Sequence, residues 1–481
     1  MNDTLSTRPA MSRTIPLIVA CALFMENLDS TIIATALPSI ARSLQEDPLH
    51  LSMAITSYLL SLAIFIPLSG WMADRYGARS VFRNAIAIFV IGSIGCAVSQ
   101  SIGQLVAARM LQGLGGAMMV PVGRLVLLRS VPKSELVGAM TFVTVPALLA
   151  PILGPPVGGL IVTYASWRWI FLINVPIGML GWWLVNRHVA NVRETDQPPL
   201  DLAGWMLLGA GLAGLILGFE SVGKHVLPDW MPPAALIGGC VLLTLYALHA
   251  RHEAAPILRL SLLSLPTFRA SIVGGSLFRI GVGAFSLLMP MMLQLGFGLS
   301  ALRSGLITFA SAVGALLMKT LAQRIARRYG FRPLLVVNSL VCSGALLLCG
   351  LFRPQMPYVL MIGVLLIAGF LRSLQFTCIN AMAFADVDEH GMSQATSFSA
   401  TAQQLALSIG VGVAAQALNI SLALRGHVDV DVLDFTVAFV IVAVVAGLST
   451  ISFRRLPPDA GDNVSGHRLA MAEPSNANNA P

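Results

Sequence analysis

The residues best placed to do chemistry lie near the middle of one apolar run. Residues 15–37, IPLIVACALFMENLDSTIIATAL, hold two carboxylates, Glu26 and Asp29. As a helix rising ~1.5 Å per residue, the run is long enough to cross a bilayer. An acid at bilayer depth costs roughly 2.5–3.5 kcal/mol and is by default a proton or cation site. A spacing of three puts both acids on one helical face, which can be turned away from lipid. Two acids so close would not readily both ionise in a dry site. The pair could carry two protons per cycle, or a cation-recognising Glu26 could stand beside a proton-carrying Asp29. The plainer alternative is an acid neutralised by a buried arginine or held protonated.

Such a helix needs neighbours that hide its acids, and the composition supplies them. The chain is 56% hydrophobic and 11% charged, with a mean hydropathy of +0.79, against about 25% charged in soluble proteins. This is the composition of an all-α polytopic membrane protein. The net charge of +8 sits in basic residues between the apolar runs, so membrane topology explains it better than nucleic acid does. The six cysteines fall in apolar segments without a CxxC pair, which implies neither a disulfide framework nor a metal site. No G-x4-G-K-[ST] loop is present, so the expected energy source is the proton motive force rather than ATP, with no cofactor and no enzymatic activity. Residues 1–13 carry Arg8 and Arg13, and no A-x-A-like cleavage site follows, which reads as an uncleaved signal-anchor.

Fourteen apolar runs are expected to span the membrane. They divide the chain into a cytoplasmic N-terminus (1–13), a six-helix bundle (14–189), a linker (190–200) and two inserted helices (201–250). A cytoplasmic connector (251–268), a second six-helix bundle (269–455) and a disordered tail (456–481) follow. With the N-terminus inside, 21 Lys and Arg fall on the cytoplasmic side and 6 outside; Arg109, Arg279 and Arg372 remain within spans. This places both termini in the cytoplasm. The chain also repeats itself: RYGAR at 75–79 returns as RYGFR at 328–332, and RMLQ at 109–112 as RSLQ at 372–375. Both matches run in the same order, as expected of two parallel halves flanking a midplane site.

Five runs carry a family resemblance: LDSTIIATALP at 28–38, GWMADRYGAR at 70–79, RMLQG at 109–113, GPPVGG at 154–159 and WRWIFLINVPIG at 167–178. Over residues 14–455 the chain resembles the fourteen-span drug:proton antiporters, the EmrB/QacA-like branch of the major facilitator superfamily. Its pattern is especially similar to the MdtD-type bacterial members. The resemblance implies a bacterial inner-membrane exporter that exchanges protons for amphipathic, cationic drugs by alternating access. It implies a gating role for the loop of Gly70, Asp74, Arg75, Gly77 and Arg79. It also implies that Arg109 helps proton transfer at the acid as the helices rearrange.

The same residues carry a physical reading of their own. Asp74, beside Arg75, Arg79 and Arg83, can pair with an arginine or cap a helix N-terminus, forming a latch that re-forms in one conformation. Buried Arg109 needs a partner, and Glu26 or Asp29 are the candidates. Arg279 stands in the second half where the first holds its acids, and could instead be that counter-ion. Gln112, Gly116 and Met119 follow Arg109 on one face and, with Arg279, are candidates to line a cavity; Met118, Met289, Met291 and Met292 could add breadth. Gly154, Pro155, Gly158 and Gly159 should bend and tightly pack the fifth span. The family pattern wants glycine at 141 and 150, where this chain has Thr141 and Ala150, and it has no counterpart of Glu26. Trp167 and Trp169, flanking Arg168, read as interfacial anchors.

Small-molecule substrate, protons and lipid are the expected partners of a monomer, with a periplasmic or outer-membrane partner left open. The main rival reading is a proton symporter or an exporter of one endogenous metabolite. A non-transporting receptor is a more distant one.

Overall fold

A computed structural model of the chain describes residues 14–46, 48–132, 135–191, 198–221, 228, 230–299, 301–426 and 430–467; within the helices, a few side chains such as those of Thr141, Pro155 and Glu220 lie outside the description. The expected N-terminus, most of the linker and residues 468–481 fall outside it as well.

The N-terminal half runs α1 (Thr14–Leu44), α2 (Pro48–Phe65), α3 (Ser69–Tyr76), α4 (Ala78–Val98), α5 (Ile102–Ser130), α6 (Leu136–Tyr164), α7 (Trp169–Leu172) and α8 (Asn174–His188). Two helices follow, α9 (Leu202–Ser221) and α10 (Met231–His252). The C-terminal half runs α11 (Pro266–Met291), α12 (Ala301–Lys319), α13 (Ala322–Tyr329), α14 (Phe331–Gly350), α15 (Tyr358–Met382), α16 (Met392–Arg425), α17 (Val432–Gly447) and α18 (Ser449–Arg454), with α19 (Asp462–Ser465) beyond it. No strand occurs among the described residues. Among the described residues, twelve helices are long and apolar enough to cross a membrane, thirteen if α12 and α13, bent by 59°, count as one span. The expected run at 136–162 falls on α6, which is 29 residues long and includes several side chains outside the description.

Local sequence sets where the helices begin and turn. Ser101 caps α5 by accepting from the Gln104 N–H, and Asp431 with Asp434 forms a capping box on α17. Pro266 opens α11, where its missing N–H costs nothing. Pro290 near the far end of α11 is followed by a π-turn at Met292–Gly296, a frequent answer to a lost backbone hydrogen bond. The RYG repeat is structural: Gly77 (φ +88°) and Gly330 (φ +71°) each break the chain between a short helix and the next span, in a backbone region where other residues are strained.

The halves are packed alike. In each, the first helix lies against the fifth-span helix (α1 on α6, α11 on α16) and the second against the fourth-span helix (α2 on α5, α12 on α15). The inserted helix α9 packs on α2 of one half and α16 of the other, and α10 packs on α9. Ile237, Val241, Leu245 and Leu248 leave the outer face of α10 apolar and exposed, as a lipid-facing helix requires.

One expectation is corrected at the C-terminus. Residues 456–467, expected to be disordered, are folded onto the bundle. Leu456, Ala460 and Val464 recur every four residues and are buried together, Asn463 Nδ2 donates to the Ala385 carbonyl, and His467 Nδ1 lies 2.9 Å from the Arg327 carbonyl. A polar composition hid this short apolar stripe.

Candidate functional site

Asp29 lies inside the N-terminal half, 1% exposed, where two helices, α5 and α8, bring three donors to it. Arg109 Nη1 on α5 pairs with its carboxylate at 2.5 Å. Gln112 Nε2 on α5 and Asn174 Nδ2 on α8 each donate to its Oδ1 at 2.8 Å. Ser93 on α4 ties the two amides together, accepting from Gln112 at 2.8 Å and Asn174 at 3.2 Å. Arg109 also donates to Gln112 Oε1 and to the Ala54 carbonyl, and its guanidinium lies 4.3 Å from the Tyr58 ring centroid. The spacing of Arg109 and Gln112 matters here: three residues apart on a helix, they reach one carboxylate together. Of the two acids and the two arginines that sequence left open as partners, the structure pairs Asp29 with Arg109. Arg279 instead donates to Asn380 Oδ1 at 2.8 Å and lies over the Phe376 ring.

Glu26, one turn earlier on α1, faces elsewhere. It lines a cavity of about 550 Å³ between the halves and is 8% exposed, and its Oε2 has no hydrogen-bond partner among the described residues. The two acids therefore occupy different sites, one sealed and one open to the cavity. Of the residues expected to line that cavity, Gly116 does so. Gln112 faces Asp29, Met119 is buried in the N-terminal core, and Arg279 is buried beside Asn380. Met118, Met289 and Met292 are likewise core residues, and Met140 is a methionine that reaches the cavity.

Three cations also line the cavity: Arg124 from α5, Lys319 from α12 and Arg372 from α15. Arg124 and Lys319, which the charge pattern of the sequence assigns to the cytoplasmic side, are 7% and 6% exposed, and the imbalance of basic residues survives their removal. Counting charges along a sequence cannot tell a basic loop from a basic residue at the last buried turn of a helix.

The halves meet at the end of the bundle that carries both described termini. Asp74 on α3 accepts from Arg129 Nη2 at 3.3 Å and, across the interface, from the Ser393 hydroxyl of α16. Ser397 donates to the Ile66 and Pro67 carbonyls, and Arg124 Nη2 donates to Gln403 Oε1. Gly70 permits this approach, since a Cβ there would lie 2.8 Å from the Ser393 carbonyl oxygen. The basic neighbours of Asp74 do other things: Arg75 is exposed, while Arg79 and Arg83 reach Asn186 of α8. Gly77 supplies the turn that follows.

In the glycine–proline run of α6, Gly154 meets α1: a Cβ would lie 2.4 Å from Thr31 Oγ1. Gly158 is buried, a Cβ on Gly159 would meet nothing within 4 Å among the described residues, and the side chains of Pro155 and Thr141 are outside the description. Trp169 is exposed as an anchor should be, whereas Trp167 is buried against Phe171 with Arg168 over its ring.

Sequence reasoning missed Ser93, Asn174, Arg129, Ser393, Arg124 and Lys319. Asn174 was visible as a polar residue inside a quoted apolar motif. The serines carried no signal, because small hydroxyl residues are common in membrane helices.

The model of the major facilitator superfamily matches residues 19–411. Proteins named for multidrug resistance, MdtD of Salmonella paratyphi B and of Salmonella typhimurium, are each 38% identical over 457 residues, 93% of this chain and 95% of theirs. The human organic anion transporter MFSD10 (TETRAN) has the same fold, with a TM-score of 0.66 at 15% identity over 93% of this chain and 100% of that one. The proton:xylose symporter XylE, bound to 6-bromo-6-deoxy-D-glucose, gives 0.66 at 15% over 95% and 98%. With two like-packed halves and a cavity between them, this chain belongs to the major facilitator superfamily and is a membrane transporter of that family.

Proposed function

We propose that the chain is a proton-coupled exporter of the cytoplasmic membrane, exchanging protons at Asp29 for an amphipathic small molecule in the central cavity. The observation that carries this reading is the sealed Asp29–Arg109 pair lying one helical turn from cavity-facing Glu26. In the arrangement described, Asp29 is a carboxylate held by three donors. Protonating it leaves Arg109 a buried cation without a counter-charge, which is costly and drives rearrangement.

The helix that must respond is α5, which carries Arg109 at the acid, Gly116 and Arg124 at the cavity, and Arg129 at the Asp74 latch. One continuous helix thus touches the proton site, the substrate site and the gate. With both termini cytoplasmic, as the basic residues favour, the closed end faces the cytoplasm and this is the outward-facing arrangement. Proton entry then resets the molecule inward, at about 2.3 kcal/mol per charge per 100 mV of driving force. The multidrug names of its relatives favour export over the symport rival.

The test uses inverted vesicles energised acid-inside, with a fluorescent pH reporter and a panel of amphipathic compounds of both charges. A transported compound should collapse the gradient. Asp29→Asn should slow that collapse about 100-fold or more, the low end of what a positioned proton-transfer group contributes. If no compound moves protons through folded protein, the multidrug antiport reading fails, and a single-metabolite transporter takes its place.

A further inference from the structure

We infer that the substrate of this cavity is an amphipathic organic anion, not the cation expected from sequence. The inference rests on reading the cavity as the substrate site. Its lining holds one acid, Glu26, against Arg124, Lys319 and Arg372. Among the described residues none of the three cations has a carboxylate within 4 Å. Lys319 Nζ donates to the Thr377 hydroxyl at 2.6 Å, Arg372 Nη2 to Ser311 at 2.8 Å, and Arg124 Nη2 to Gln403 at 3.1 Å, all neutral acceptors. Arg124 Nη1, on a side chain more than nine-tenths buried, has no partner.

The imbalance is written into the second half. From residue 254 to residue 385 the chain has no Asp or Glu and eleven Lys or Arg. No rotation of α11, α12 or α15 can therefore bring an acid to the cavity wall they build. Buried cations without counter-charges are expensive to fold, and a site that retains them is built to be completed by an anion. A lipophilic cation there would meet three like charges against the single acid Glu26. An anion gains charge-assisted hydrogen bonds from donors already in place, with its apolar body against Phe285 and Phe376. The volume suits a small molecule, since such sites run from about 300 to 1,000 Å³. Export of an anion also draws directly on an inside-negative potential, at about 2.3 kcal/mol per charge per 100 mV.

The test compares two fluorescent probes with one apolar body, 9-anthracenecarboxylate and 9-anthracenylmethyl-trimethylammonium, binding to the full chain in nanodiscs. The carboxylate should bind at least about tenfold more tightly, the scale of a well-placed charge pair. Lys319→Gln and Arg372→Gln should each weaken it about fivefold, and Arg372→Lys should retain it. Equal binding, preference for the ammonium, or no binding of the carboxylate overturns the inference. Should either glutamine variant fail to fold, the probe comparison on the unaltered chain still decides. A carboxylate that binds but moves no protons in vesicles would sink the exchange reading and leave this one standing.

Discussion

The two halves of this transporter are built alike and charged differently. In the first, an arginine of the fourth span and a carboxylate of the first close on each other at 2.5 Å, with two amides completing the cage. In the second, the corresponding region holds Arg279 beside Asn380 and Arg372 beside Ser311, with no acid paired to either among the described residues. The short helices before the RYG turns differ the same way: Asp74 in α3 faces Arg129 and Ser393, and its counterpart in α13 is Arg327. Duplicated packing thus carries an acid–arginine cage and an acid at the interface in one half, and cations with neutral hydrogen-bond acceptors at the cavity in the other. Symmetry of backbone does not require symmetry of charge, because the helices pack through their small and apolar residues.

The largest test of this contrast is stability. Arg109→Gln leaves Asp29 a buried charge without its partner, and should cost about 3–5 kcal/mol by denaturant titration in micelles. Arg279→Gln removes a cation that has no acid to abandon, and should change stability by about 1 kcal/mol or less, in either direction. The double variant Asp29→Asn with Arg109→Gln should recover most of the single-variant loss while proton-coupled flux stays absent. If Arg279→Gln proves as damaging as Arg109→Gln, the two halves are not different in the way described.

The contact between the halves at Gly70 and Asp74 gives a smaller effect. Gly70→Leu puts a side chain where the Ser393 carbonyl lies, and overpacking of that kind costs about 1–3 kcal/mol of the closed arrangement. Spin labels at exposed Tyr76 and Tyr329 should then report a longer distance across that end. At the equivalent position of the second half, Gln323 is already a large, exposed side chain, and Gln323→Leu should leave the distance unchanged. The smallest expected shift comes from Ser393→Ala. It removes one hydrogen bond to a carboxylate that keeps Arg129, so the closed population should fall by roughly 1–2 kcal/mol, read with the same labels. An unchanged distance would show that Asp74 does not hold the halves together.

What the sequence determined by itself was everything set by period, composition and repetition. Apolar runs of membrane length dictate helices, because lipid offers backbone polar groups no alternative partner. The repeated RYG turns mark the two halves, and Asp29 and Arg109 stand out because charge at that depth needs a reason. What sequence could not supply was direction. Glu26 and Asp29 look equivalent at a spacing of three, yet the packing of α2, α5 and α8 around α1 sends one into a sealed cage and the other into the cavity. The hydrogen-bond partner of Asp74 across the interface is 319 residues away, on a helix whose serine carries no sequence signal. Lys319 and Arg124 read as loop charges until the helices around them bury both. The sign of the cavity is a sum over side chains from both halves, so only the tertiary structure decided it.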